Sequence, residues 1–255
     1  MPKIISVVHQ CLHLLLPNSC LWCQLPVQQP EAQLCDYCNL ALPRLSPELP
    51  PQNALLLPAV ARGLKPRHFD ALFSLSWYQN PWSHWITHWK FQQDLACGAL
   101  LCQQLAAAAQ SYQAPSDAAI CFVPMSHNRY KERGFNQAEE LARVLATSLK
   151  LPLMSVFASK AGVKHQVGLS RARRRANLRR QFSLQTQHKL PAHMLLVDDV
   201  ITTGATVNQL CLLLKKHGVR TVDVWTLAVT SAKRQKRYSA APSSSPDAES
   251  KALAK

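Results

Sequence analysis

Val197 to Thr206 reads VDDVITTGAT, and the fold turns on how this stretch is read. The run leading into it, Met194 to Val200, is apolar and β-branched enough for a buried strand, whereas Val207 to His217 has the pattern of a helix closed by Gly218. The decapeptide therefore sits on a strand–loop–helix corner. At such a corner the N–H groups of Thr203, Gly204, Ala205 and Thr206 point outward with the first turn of the helix, and a phosphate dianion can accept from several of them. Thr202, Thr203 and Thr206 add hydroxyl donors. Asp198 and Asp199, at the end of the strand, can accept from the 2′- and 3′-hydroxyls of a pentose, directly or through Mg2+, which favours oxygen ligands and substrate phosphates. Gly204 lets the backbone turn tightly against the ligand. The alternative is a plain N-capped turn, since Asp and Thr precede helices for structural reasons alone.

Alternation of strands and helices extends the corner into a domain. Phe69 to Tyr78 reads as a strand, Trp82 to Phe91 and Leu95 to Gln110 as helices, Ala119 to Pro124 as a strand and Thr221 to Val229 as another. The order indicates an α/β fold with a mainly parallel sheet flanked by helices. In such a sheet ligands lie beyond the carboxyl ends of the strands, so the loops after Val123 and Val200 are expected to share one cleft. The boundaries read as a leading helix and cysteine knuckle over 1–45, an extended proline-rich connector over 46–68, the α/β domain over 69–232 and a basic, then Ser/Ala/Pro-rich disordered tail over 233–255. No apolar run approaches the roughly 20 residues that span a bilayer. Ile4 to Leu16 superficially looks like a signal peptide, but His9, Gln10 and His13 interrupt it and no small-residue cleavage site follows, so an amphipathic helix and a cytoplasmic location are expected.

Nine cysteines are present, four of them paired as Cys20-Leu-Trp-Cys23 and Cys35-Asp-Tyr-Cys38. Two such turns offer four thiolates to one tetrahedral ion, the ligand spacing of a structural zinc knuckle. Disulfides or a redox pair are the other readings; a reducing cytosol disfavours the first, and the duplication is not explained by the second. Cys11, Cys97, Cys102, Cys121 and Cys211 have apolar neighbours and read as core.

The net charge of +15 implies an anionic partner or substrate. From Leu141 to Val197 there is no Asp or Glu, yet the stretch holds eleven Lys and Arg. Six of these, Arg171, Arg173, Arg174, Arg175, Arg179 and Arg180, lie in LSRARRRANLRRQF (Leu169–Phe182). Guanidinium groups so crowded repel unless an anion or water screens them, so the segment is a phosphate or nucleic-acid patch, a loop that orders on binding, or a solvated surface. Upstream, RYKERGFNQAEEL (Arg129–Leu141) sets Arg129, Lys131 and Arg133 ahead of a helix whose Asn136 and Glu139 have capping-box spacing. These cations can reach a pyrophosphate, with Gly134 freeing the loop to close, or they form a basic turn and cap. Trp77, Tyr78, Trp82, Trp85, Trp89 and Phe91 are dense enough for a stacking platform. The i, i+3, i+7 spacing of Trp82, Trp85 and Trp89 favours a buried helix face instead.

VDDVITTGAT resembles the phosphoribosyl pyrophosphate (PRPP) loop of type I phosphoribosyltransferases, with Ala205 where most members have a second glycine. CLWC and CDYC, RGFNQAEELA, LSRARRRANLRRQF and LLVDDVITTGAT stand in the order and spacing of the ComF (ComF/GntX) family, a resemblance covering about residues 1–230. It implies a type I phosphoribosyltransferase fold with an N-terminal zinc element, and a connection with competence and imported DNA. It makes Asp198 and Asp199 the ribose and Mg2+ acids and Thr202 to Thr206 the cradle of the 5′-phosphate, and it places Arg133, Gly134, Asn136 and Gln137 in a second signature. Gln166, Leu169, Arg174 and Asn177 match the pattern of relatives across the basic segment. A second CxxC pair carried by many relatives is replaced by PQNALLLP (Pro51–Pro58). Three functions follow: a transferase acting on PRPP and a base-like acceptor, a single-stranded-DNA-binding uptake factor with PRPP as ligand or regulator, or an adaptor of the DNA-uptake machinery. The intact acids argue against the last.

Overall fold

A computed structural model describes residues 18–27, 29, 32–46, 53–65, 67–110, 112–159, 181–185 and 189–231. Along the chain these form α1 (Asp36–Leu40), a 3-10 turn (Ala54–Leu56), α2 (Pro58–Ala61), β1 (Ala71–Trp77), α3 (Trp82–Phe91), α4 (Leu95–Ala109) and β2 (Ala118–Phe122). There follow α5 (His127–Arg133), α6 (Gln137–Leu149), β3 (Phe157–Ser159), β4 (Phe182–Leu184), β5 (His193–Ile201), α7 (Ala205–Lys216) and β6 (Thr221–Val229). The expected leading helix, Cys11, the arginine segment from Arg171 to Arg180 and the tail all lie outside the described residues.

Four strands pair in the order β1-β6-β5-β2, every pair parallel, and β3 with β4 makes a small antiparallel ribbon. Successive strand residues face opposite sides of a sheet, and β5 divides accordingly. Leu195 and Val197 pack with the cysteine knuckle, α3, α4 and α6. Met194 and Leu196 pack with α7, Val60, Leu64 and the β3–β4 ribbon. With both faces covered, the central strands are apolar nearly throughout; every residue of β6 after Thr221 is buried.

Local chemistry explains the element boundaries. Asp94 caps α4 by accepting from Ala96 and Cys97 N–H. Trp82, Trp85 and Trp89 are all 3% exposed or less, so this spacing marks a core face. Gly98 admits that face, because a Cβ there would lie 2.5 Å from Trp89 Nε1. The stretch read as an extended connector holds two short helical turns, and Ala54, Val60 and Leu64 are buried against the sheet. Its Asn53 Oδ1 accepts from Leu55 N–H and from Leu72 N–H on the outer edge of β1. Cys97, Cys121 and Cys211 are buried and Cys102 partly so. No helix among the described residues is long and apolar enough to cross a membrane.

Candidate functional site

The β5–α7 corner forms as its sequence requires. β5 runs through both aspartates to Ile201, and the chain turns at Gly204, which has φ +67° and caps α7 with no side chain of its own. The glycine answers two constraints, a left-handed backbone and the Leu64 side chain, which a Cβ would approach to 2.9 Å. Thr203 Oγ1 and Ala205 N–H stand 3.5 Å apart. Thr203 and Ala205 are exposed, Thr202 and Thr206 partly so. The loop is braced from β6 and just beyond it, where Thr226 and Thr230 hydroxyls donate to the carbonyls of Asp199 and Thr202.

Asp199 shares the strand parity of Leu195 and Val197, and there it meets α3: Lys90 Nζ lies 2.8 Å from Asp199 Oδ2, with both side chains about five-sixths buried, at 16% and 15% exposure. Asp198 has the opposite parity, and its Oδ1 accepts from Asp199 N–H at 2.9 Å. Burial, and then the Asp199 charge beside it, push the Asp198 carboxyl from 3.8 up to about 8, against the opposing pull of Lys90 and that N–H. The free protein thus sets one lysine side chain against two adjacent carboxyl groups.

Strand β2 lies next to β5, and Val123 N–H donates to Val197 O, so the loops after β2 and β5 emerge side by side, as expected. The cations after β2 differ from expectation in form. Arg129, Lys131 and Arg133 stand on the short helix α5, and Gly134 is its left-handed cap at φ +78°, its N–H donating to Tyr130 O. The spacing of Asn136 and Glu139 forms half of a capping box: Asn136 Oδ1 accepts from Ala138 N–H, but Glu139 pairs with Arg143 across one turn. Asn136 also donates to Val123 O, tying α6 to the end of β2.

Arg129 and Lys131 are exposed, whereas Arg133 turns inward. Its guanidinium lies 4.8 Å from the centre of the Phe91 ring and 3.4 Å from Gln137 Oε1. Burial lowers its pKa, a shift that the charge of Asp199 opposes. Gln137 is fully buried, and its Nε2 has no hydrogen-bond partner among the described residues. Lys90 and Phe91 are the residues that sequence reasoning missed. A lysine at the end of a tryptophan-rich helix carries no periodic signal that ties it to acids on a distant strand.

On the same side of the sheet the knuckle brings Cys20, Cys23, Cys35 and Cys38 together, with all four sulfurs within 4.8 Å of one another, a set that can hold one metal ion. Cys35 caps α1 by accepting from Cys38 N–H. Backbone N–H groups of Cys23, Cys35 and Trp22 outweigh burial and lower the Cys20 thiol to about 6, while burial and its sister thiols raise Cys38. Four thiols this close cannot all ionise without a cation between them, which suits a tetrathiolate site.

The phosphoribosyl transferase domain family matches residues 131–248. DNA utilization protein YhgH of Salmonella typhi is 33% identical over 230 residues, 85% of this chain and 99% of the relative. Competence protein F of Haemophilus influenzae is 37% identical over 169 residues, 63% of this chain and 73% of the relative. The chain belongs to the ComF family. A more distant member, Competence protein ComFC of Streptococcus pneumoniae, is 25% identical over 150 residues. As a ComF-family protein the chain has a phosphoribosyltransferase-type α/β fold, and the span matched to that domain contains β5 and α7 but begins after Lys90.

Proposed function

We propose that this ComF-family protein binds PRPP with Mg2+ at the β5–α7 corner and serves the use of imported DNA. One observation carries the reading: two adjacent carboxylates lie near the end of β5, which runs to Ile201, and the loop after it enters α7 at a left-handed glycine that brings no side chain of its own to cap the helix. The 5′-phosphate would take the first-turn N–H groups and the hydroxyls of Thr202, Thr203 and Thr206. Asp198 and Asp199 would take the ribose hydroxyls and the metal. Mg2+, when bound, shields the negative charge of the pyrophosphate. Arg133, and beyond it Arg129 and Lys131, extend that shielding from the protein side. If the pyrophosphate is displaced, positive charge develops on the ribose, and carboxylates fixed at its rim stabilise it without reorganising. The names of the relatives, which speak of competence and DNA utilization, support the biological role. Zinc is the metal we assign to Cys20, Cys23, Cys35 and Cys38, because four clustered thiols suit it best.

A second reading has its own support. The acid-free stretch from Leu141 to Val197 with its eleven cations suits a single DNA strand, with PRPP as ligand or regulator and little turnover. Calorimetric titration with Mg–PRPP, before and after Asp199→Asn, tests the pocket: saturable binding that the substitution abolishes is expected, and no binding to the wild type removes the proposal. Pyrophosphate release with candidate bases separates transferase from ligand sensor. For DNA, affinity is expected to fall steeply with salt, since Arg171 to Arg180 would displace counterions; a flat response would exclude them as the contact.

A further inference from the structure

Lys90 belongs to no motif and comes from a helix on a different stretch of chain from the acids, yet it makes the closest charged contact of the site, 2.8 Å to Asp199 Oδ2 with little solvent access. A pair so placed has lost most of its hydration, so each partner depends on the other or on a replacement of equal charge. The neighbours on every side bear on that replacement. Asp198 is the other acid, and Arg133 is the next cation, drawn by Asp199 and repelled by Arg129. Beside Arg133, the buried Gln137 Nε2 is a donor with no acceptor among the described residues. The cluster thus holds cations and an unused donor on one side and acids on the other.

We infer that Lys90 is an exchangeable counter-ion, a positioning residue that closes the acid pair to bare metal ions and yields it only to a metal arriving with its own anion. The inference rests on the proposed PRPP site. A divalent cation alone must displace the Lys90 ammonium from Asp199 and leave it buried and unpaired, which is costly. A cation bound to a diphosphate brings the anion that Lys90 needs, and Arg133 and Gln137 Nε2 lie where they can share it. Metal and sugar diphosphate therefore enter together, and free Mg2+ does not fill the site ahead of its ligand.

The test uses the full chain, with zinc retained in its knuckle, and Mn2+ as the probe, its free concentration read by electron paramagnetic resonance. Without PRPP, Lys90→Met is expected to bind Mn2+ at least about tenfold more tightly than the wild type, a size consistent with removing a unit charge a few ångströms away at an effective dielectric near 20. With Mg–PRPP in a calorimeter the same variant is expected to bind about tenfold more weakly, and Lys90→Arg, which keeps the charge, to return both affinities toward wild type. Opposite signs in the two titrations are the signature. Mn2+ affinity unchanged or reduced in Lys90→Met, or both affinities reduced together, would overturn the inference and leave Lys90 a structural ion pair. Should the wild type fail to bind Mg–PRPP, the proposed function fails, while the Mn2+ comparison still decides whether Lys90 shields the acids. Should Lys90→Met not fold, Lys90→Gln takes its place under the same criteria.

Discussion

Asp198 shows how much a single side chain's behaviour depends on what surrounds it. Its carboxyl is held near 8 by burial first and by Asp199 second, so between the ordinary value of 3.8 and about 8 the folded protein keeps a proton that the unfolded chain releases. The stability linked to that proton is fully present below about 4 and is lost as pH rises through about 8. Asp198→Asn, which cannot ionise, is expected to flatten this fall: its melting temperature relative to the wild type should climb steadily from pH 5 to pH 9, as followed by circular dichroism. A constant offset across that range would show that the carboxyl titrates normally. Both aspartates were legible in the sequence as a pair at a strand end. The upward shift of one of them was not, because burial is set by how the whole chain packs around the corner.

Helix α3 is the element on which the site depends from outside the matched domain span. Its tryptophan face is seated by Gly98 on α4, and its last turn carries Lys90 to Asp199 and Phe91 to Arg133. Gly98→Ala puts a methyl group into the Trp89 ring, so α3 must shift or the ring must leave its place. Overpacking of this kind costs about 1–3 kcal/mol. Urea denaturation is expected to register that loss, and Mg–PRPP affinity is expected to fall with it although Gly98 touches no proposed ligand. Full affinity in a destabilised Gly98→Ala would mean that the position of α3 does not govern the site. The bounds of α3 and β6 agree with those read from the sequence, because tryptophan spacing and an apolar β-branched run are strong periodic signals. The residues from Ala54 to Leu64 were read as extended from their prolines. They form turns because the sheet's second face needs Val60 and Leu64 to cover it.

Across the whole molecule, the cysteine knuckle and the acid pair both contact the same helix. Trp85 Nε1 donates to Leu21 O beside the first CxxC, Trp82 Nε1 donates to Pro43 O just after the second, and the Trp22 ring stands edge-on to Trp85. Structural zinc supplies about 10–16 kcal/mol of apparent binding free energy to small knuckles, so loss of the zinc proposed for the four thiols is expected to free this layer. One zinc per chain should be released by a chelator under denaturing conditions. In Cys20→Ser the tryptophan emission should shift to the red as Trp85 and Trp82 become wet, with Mg–PRPP affinity falling in parallel; an unshifted spectrum in a zinc-free chain would separate the knuckle from α3. The sequence by itself determined the class of fold, the strand–glycine–helix corner, the four-cysteine set and the excess of cations, because each is a short-range pattern of spacing or composition. The tertiary structure alone decided that Asp199 is paired with Lys90, that Arg133 turns inward while Arg129 and Lys131 face solvent, and that a buried amide of Gln137 has no partner among the described residues. Those outcomes depend on which distant segments the parallel sheet brings to one edge, and Coulomb interaction and desolvation act on distance in space, which spacing along the chain does not encode.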